Sequence, residues 1–521
     1  MLKRSFFLFL SLCMMICASS VAQTSSLQLG IVATSDVTLR PLQLNQRDVV
    51  SVLNLVYEGL FTVDDNYLPQ PCLASSYEFT NEGRRLIVTL RDDISFHSGK
   101  RLTAADVVAT LDAMYELSGF DRDLNSTVPL SERGLYYSTF YSIRSWSSQD
   151  DNHILFNLRR TSYGSLYALT FPILPYNEID SEMPSGTGPY RYDGYEQGSS
   201  IWLTVNPNWW KRTPQIRNIR ASIYKDSEKV LAAFDQREVD VATTRSINAS
   251  RYSGSLNSFS MIARSRQLEV LLVNRANGLF QSDDNGTNLV REAVYYAIDR
   301  STLINSIYQG MATVAYSPIP SGTWLSDETI ARDVYDPLMA ASLLDRAGWK
   351  LADNGKRYKN GQSMPYLYLL VYDEPGSMVR TNAANKIREQ LEAVGFSVTV
   401  NTRTLDFVTT KLRSGDFSIA LCAFNFDIGP DPGFTITSTG SCNYTRYRSK
   451  EMNDLHSVLR TSWTQDGYRN AMLTIQKKFS DDIPYIPLYW RSSALLSRSA
   501  FTNVRDIREL ELFRGVESFT D

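Results

Sequence analysis

LRDDISFHSGKRLTAADVV, Leu90 to Val108, is the stretch whose local reading carries furthest. Leu86, Val88 and Leu90 alternate with polar positions, Ile94 and Phe96 resume the alternation, and Ser98 with Gly99 supplies a turn. A helix opens at Thr103, which stands three residues before Asp106 in capping-box spacing with Asp in place of Glu. Val107, Val108, Leu111, Met114 and Tyr115 then fall on one helical face. The expected unit is a strand, a turn and a capped helix.

Outward from that unit the pattern stays mixed. Leu27 to Ile31 reads as a first strand, and Val49 to Leu60 as an amphipathic helix stopped at Gly59. His153 to Leu158 is strand-like, and an apolar run follows from Leu166 to Leu174. GTGPYRYDGY, Gly186 to Tyr195, makes a tight turn into an alternating strand, and IWLTVNPNWW continues the pattern to Trp210. Leu268 to Asn274 begins a new hydrophobic strand after a Ser-rich stretch. Helices are expected over VREAVYYAIDR, over DPLMAASLLDRAGW with an Asp336 and Pro337 cap and a Gly348 stop, and from Met378 to Val394. The last of these lies between strands YLYLLVYD and FSVTVN, an order that implies a parallel crossover. A long helix is expected from Glu451 to Phe479, before the closing strand IPYIPLYW.

A chain of 521 residues, 43% hydrophobic and 21% charged, is globular and calls for about three domains. Lys3 and Arg4 precede an apolar run from Phe6 to Ile16, with Ser20 and Ala22 before Gln23, which reads as a signal peptide over 1–22. The run is short for a membrane anchor. Cys13 and Cys17 are candidate lipid-attachment sites, so a free and a tethered form both stay open. Without the leader, 51 basic residues face 56 acidic ones, a charge near −5 that offers nothing to nucleic acid. Cys72, Cys422 and Cys442 then remain, allowing one internal disulfide; the short separation favours Cys422 with Cys442, and unpaired thiols are the alternative.

His97, His153 and His456 are far apart, and HExxH and paired CxxC motifs are absent, which argues against a protein-built metal centre. GxSxG, Walker and GxGxxG patterns are absent too. These absences lower the prospect of catalysis without excluding it, and no cofactor is expected.

The Leu90 to Val108 stretch resembles the signature of the family 5 extracellular solute-binding proteins, the peptide receptors of ABC importers. YEGL at Tyr57 to Leu60, GTGPY at Gly186 to Tyr190, EVD at Glu238 to Asp240, VREAVYYAIDR, DPLMAASLLDRAGW and IPYIPLYW are similar to further family motifs in the same order. The resemblance implies an α/β, bilobed periplasmic-binding-protein-like fold of class II, cluster C type, with an extra α+β domain. Domain I would comprise 25–67, 184–264 and 490–521, domain II, the extra domain, 68–183, and domain III 265–489. It also implies a monomer that captures di- to oligopeptides between its lobes outside the cytoplasmic membrane and hands them to a permease. A non-peptide solute such as a sugar, an opine or a metal chelate is the alternative, and an exported hydrolase a more distant one.

In NFDIGPDPGF the resemblance places a ligand-ammonium carboxylate at Asp427, beside Phe424 and Phe426 and before Asp431 and Pro432, although both aspartates equally suit turn caps. Asn443, Tyr444, Tyr447 and Trp490 are candidate cleft walls, and Arg491 a candidate partner for a ligand carboxylate. His97 is expected to be a structural turn residue.

Overall fold

The computed structural model describes residues 26–255, 258–281, 288–330, 335–374, 376–498 and 507–518. The expected signal peptide, Cys13 and Cys17 lie outside them.

The opening stretch folds as its pattern dictates. Arg85–Leu90 is a strand with Leu86, Val88 and Leu90 buried, and Ile94 and Phe96 are buried beyond it. Gly99 turns the chain at φ +83°, and Ala104–Ser118 forms a helix. The backbone N–H of Thr103 donates to Asp106 Oδ2 at 2.9 Å, so a shorter Asp closes the capping box. The strand sits inside an antiparallel sheet whose order is Ala74–Thr80, Arg85–Leu90, His153–Leu158, Ile143–Ser148.

The rest of the bilobed molecule is built around one eleven-stranded sheet, with a small three-stranded and a two-stranded sheet beside it. Its order runs Val398–Arg403, Leu367–Tyr372, Ile419–Asn425, Phe259–Val273, Ile486–Ser497, Val241–Thr244, Ser26–Val32, Asn218–Tyr224, Ser200–Val205, Tyr190–Glu196, with Ala312–Val314 added beside Ile486–Ser497. The outer strands on one side are parallel, as the crossover through helix Val379–Ala393 requires. Two long strands, Phe259–Val273 and Ile486–Ser497, run antiparallel through the middle and join the halves. One end of this ribbon pairs with Val241–Thr244 and the other with Ile419–Asn425. The register slips between Arg264 and Leu268, so the ribbon is bulged where it passes from one half to the other. Leu271, Val273, Leu369, Ile387, Ile419 and Leu488 form part of a separate buried core on the second half.

Several expected elements differ. The helix expected to reach Leu60 is only Arg47–Leu53, because Leu55 and Val56 turn away to accept backbone bonds from Tyr190 and Gly188. The strand expected to continue to Trp210 ends at Val205. The strand expected at Leu268 begins at Phe259, since it must cross both halves. The expected long helix is two, Lys450–Thr461 and Gln465–Asp482, with Thr464 capping the second. Asp336 caps its helix as read, accepting from Met339 N at 2.8 Å.

Candidate functional site

Where the bulged ribbon, the smaller sheet unit and the C-terminal segment approach one another they enclose a cavity of about 790 Å³, within the range of small-molecule and peptide sites. Asp427 lies on its wall. The strand Ile419–Asn425 delivers it: the N–H of Phe426 donates to the carbonyl of Arg266 at 2.9 Å, and the chain then leaves the sheet with the carboxylate exposed. Asp427 makes no hydrogen bond or ion pair with any described residue. Its charge is felt nearby, since the Tyr137 phenol is pushed up first by burial and then by Asp427.

The next residues of the loop are held tightly. A Cβ on Gly429 would come within 2.6 Å of the Tyr167 ring, and one on Gly433 within 2.1 Å of His456 Nε2, so both close approaches need glycine. Asp431 is engaged by the protein: Oδ1 accepts from Gly433 N at 2.8 Å and meets His456 Nε2 at 2.7 Å, and Oδ2 lies 3.5 Å from Arg160.

Phe426 and Trp490 are buried, with ring centroids 5.6 Å apart, and border a space of about 20 Å³ on the far side of Asp427. Trp490 Nε1 is buried and has no hydrogen-bond partner among the described residues. The other expected wall residues lie elsewhere. Phe424 is core, packed edge-on against Phe434 and Tyr485, and Tyr444 stacks on it away from the cavity. Asn443 is buried and braces its own loop, donating to the Thr437 and Tyr447 carbonyls. Tyr447 is buried, with its hydroxyl on Asp482.

Arg491 is engaged within the protein and does not line the cavity of Asp427. Its Nη1 lies 2.6 Å from Glu374, within a cluster in which Arg380 donates two fully buried hydrogen bonds to Glu269, each 2.6 Å. Burial opposes the Arg380 charge, but Glu269, Tyr372 and Glu374 overcome it and push its pKa well above the usual value. Nor do Cys422 and Cys442 form the expected bridge: both are free thiols. Cys422 is sealed in the sheet, where burial and then Glu269 push its thiol pKa up and leave it unreactive, while Cys442 sits in a turn beside Ser441.

Two wall residues carry signals that local pattern did not expose. Arg266 sits inside the bulge, between Arg264 and Leu268, and borders both spaces, and its guanidinium has no hydrogen bond or ion pair among the described residues. Glu58 of YEGL is reached by Trp210 Nε1 at 2.8 Å, Thr187 Oγ1 at 3.0 Å and Trp209 Nε1 at 3.4 Å, with Lys211 at 3.7 Å. Burial raises its pKa despite these donors. The motifs YEGL, GTGPY and NPNWW thus converge on one carboxylate, and the signal was their shared polarity. His97 is structural as expected: burial lowers its pKa, Nδ1 accepts from Gly186 N and Nε2 meets the Gly188 carbonyl, which fixes a neutral ring protonated on Nε2. Among the described residues no group of three or more His, Cys, Asp or Glu could hold a metal ion.

A bilobed sheet joined by two crossing strands around a large cavity defines a solute-receptor class, and comparison with known proteins agrees. Residues 69–446 match the model of the bacterial extracellular solute-binding proteins, family 5, and the chain belongs to that family. It is therefore a binding protein and not an enzyme. It is 24% identical over 479 residues to Protein XP55 of Streptomyces lividans, covering 88% of this chain and 82% of that one. It is likewise 24% identical over 466 residues to the oligopeptide-binding protein AppA of Bacillus subtilis, covering 84% of this chain and 81% of that one. Among solved structures, NikZ of Campylobacter jejuni in complex with Ni(L-His) superposes with a TM-score of 0.70 at 18% identity, covering 96% of this chain and all of that one. Among the described residues no helix is long and apolar enough to cross a membrane.

Proposed function

We propose that this chain is the extracytoplasmic receptor of an ABC importer and that it captures short peptides, delivering them to a membrane permease. One observation carries the reading: Asp427, a carboxylate without a partner among the described residues, lines a cavity of about 790 Å³. An α-ammonium is its natural complement, because a charge-assisted hydrogen bond in a closed cleft is stronger than a neutral one. Peptide main chain then pairs with extended backbone at the cleft, with side chains in the remaining volume.

The same reading assigns 1–22 to a signal peptide, 25–67, 184–264 and 490–521 to domain I, 68–183 to domain II and 265–489 to domain III. The bulged ribbon is the hinge, and a ligand that prefers the closed form shifts the population toward it. The receptor acts as a monomer and needs no cofactor.

A second reading, an anionic non-peptide solute such as a metal chelate, draws on the four arginines of the wall, Arg160, Arg266, Arg460 and Arg514. Thermal shift against dipeptide, tripeptide and pentapeptide panels separates the two, with mass spectrometry of co-purified ligand. A rise in melting temperature with peptides supports the first reading, and no rise with any of them overturns it.

A further inference from the structure

Asp427 borders the space of about 20 Å³ as well as the main cavity, and Trp490 forms a wall of the smaller space alone. Trp490 is only 5% exposed. The central ribbon holds it in place: its backbone pairs with Leu268 on one side and Thr313 on the other, and its ring meets that of Phe426 edge-on. Its indole N–H is buried, and no described residue accepts from it. A buried donor left unmade is costly, so the groups around the same space matter. Asp427 brings a carboxylate and Arg266 a second donor. Ser265 and Thr323 already give their hydroxyl protons to Glu509 and to the Pro320 carbonyl, so on this border they can only accept. An anion would meet the Asp427 carboxylate, and a cation would meet the Arg266 guanidinium and the indole N–H. A neutral molecule that both accepts and donates suits the whole set. A single water needs roughly 10–15 Å³ and two to four polar neighbours, and the space supplies both.

We propose that this small cavity is a binding site for one ordered water, which accepts from Trp490 Nε1 and donates to the Asp427 carboxylate. Trp490 is then a positioning residue: it acts on the ligand through the water and Asp427, from behind the wall of the main cavity. That functional half rests on the peptide reading, whereas the water site itself does not. Asp427 stands at the end of its strand with an exposed side chain and no partner among the described residues, so nothing else on the page fixes the direction of its carboxylate. A bridging water is nearly as good a partner as a direct contact. It holds one carboxylate oxygen and leaves the other for the ammonium, so less freedom is lost when the peptide arrives.

A high-resolution crystal structure of the wild-type protein without added peptide tests the site directly. One water peak should lie within about 3.2 Å of both Trp490 Nε1 and an Asp427 carboxylate oxygen. No peak there overturns the proposal, and a water on Nε1 that does not reach Asp427 overturns the positioning role. Trp490→Phe keeps an aromatic ring and removes the donor, so the same map of the variant should lose the peak. Titration calorimetry with tri-alanine and N-acetyl-tri-alanine then reads the role of the water. The variant should bind the free peptide about three- to tenfold more weakly and the acetylated one as the wild type does. An equal loss for both peptides would mean that Trp490 serves by packing alone and would overturn the positioning role. If the variant does not fold, the wild-type map decides the site. If no peptide binds the wild type, the peptide reading fails separately, and the same map still decides whether the water is there.

Discussion

The N–H of Phe426 donates to the carbonyl of Arg266 at 2.9 Å, and beside that bond Asp427 and Arg266, two charges without a partner among the described residues, line the same cavity. Arg266 rides in the bulge of the long strand Phe259–Val273, and Asp427 steps off the end of the neighbouring strand. A carboxylate and a guanidinium that start so close and yet do not pair are poised for charges on a ligand. Had they met, their attraction would have been used within the protein.

Replacing Asp427 with Asn should therefore weaken binding without weakening the fold. The side chain has no partner among the described residues, so stability to denaturant should change by no more than about 0.5 kcal/mol. Loss of a charge-assisted bond to an ammonium should lower affinity for a free tripeptide by roughly ten- to a hundredfold. An N-acetylated tripeptide, lacking that ammonium, should bind both proteins equally. Calorimetry showing the same affinity of the variant for the free tripeptide would remove Asp427 from the site.

Gly429→Ala tests how the Asp427 loop is held. Its new methyl would fall 2.6 Å from the Tyr167 ring, whose hydroxyl donates to the Tyr67 carbonyl and accepts from Trp324 Nε1, both at 2.8 Å. A ring anchored at its far end cannot swing aside, so the loop must move. The expected cost is about 1–3 kcal/mol of unfolding free energy, together with weaker peptide binding as Asp427 is displaced. A double-mutant cycle with Tyr167→Ala should show coupling of at least about 0.5 kcal/mol. Simple additivity would mean that the contact is relieved some other way.

What could be read in advance follows a physical divide. Leu86, Val88, Leu90 and the Thr103 to Asp106 cap were legible because each depends on neighbours within a few residues. The end of the first helix was not: Gly186 and Gly188 approach so closely that a Cβ on Gly186 would sit 1.9 Å from the Val56 carbonyl oxygen, and that contact lies about 130 residues away in sequence. The break between Thr461 and Gln465 was hidden for the same reason, since the Ser462 carbonyl accepts from Tyr163 N of the smaller sheet unit. Asp427 came from a family pattern, and the cavity does receive it. Arg491 looked equally available from its neighbours, but its partners Glu269 and Glu374 are distant in sequence and no local spacing announces them.

The buried cluster makes a prediction opposite to that for Asp427. Arg380 and Glu269 are both fully buried, so Arg380→Met strands a carboxylate and should cost about 3–5 kcal/mol. Adding Glu269→Met removes the stranded charge and should recover much of that loss. Arg491→Ala should also lower stability, by less, because its side chain keeps 20% exposure and solvent screens it. Peptide affinity should be unaffected by Arg491→Ala, and a tenfold weaker binding by that variant would restore Arg491 to the site.

Glu509 gives the pH dependence. Burial works to raise its pKa, but Arg245 and Arg47, at 2.5 Å and 3.3 Å, prevail and hold it below the usual carboxylate range. An unfolded Glu titrates near about 4.3, so the folded state binds the proton more weakly than the unfolded chain does. The resulting stabilisation is fully present above about pH 4.3 and is lost as the pH falls through the depressed folded value. Glu509→Gln lacks this contribution and leaves the Arg245 guanidinium without its acid, while Arg47 keeps Asp48 at 2.5 Å. The variant should be less stable than the wild type by roughly 3 kcal/mol at pH 7, since truncating one partner of a buried pair is the costly case. Denaturant unfolding at pH 7, 5, 4 and 3 should show that gap constant down to about pH 5 and shrinking below it. A gap that persists undiminished at pH 3 would mean that Glu509 stabilises the protein by packing and hydrogen bonds alone, with no part played by its charge.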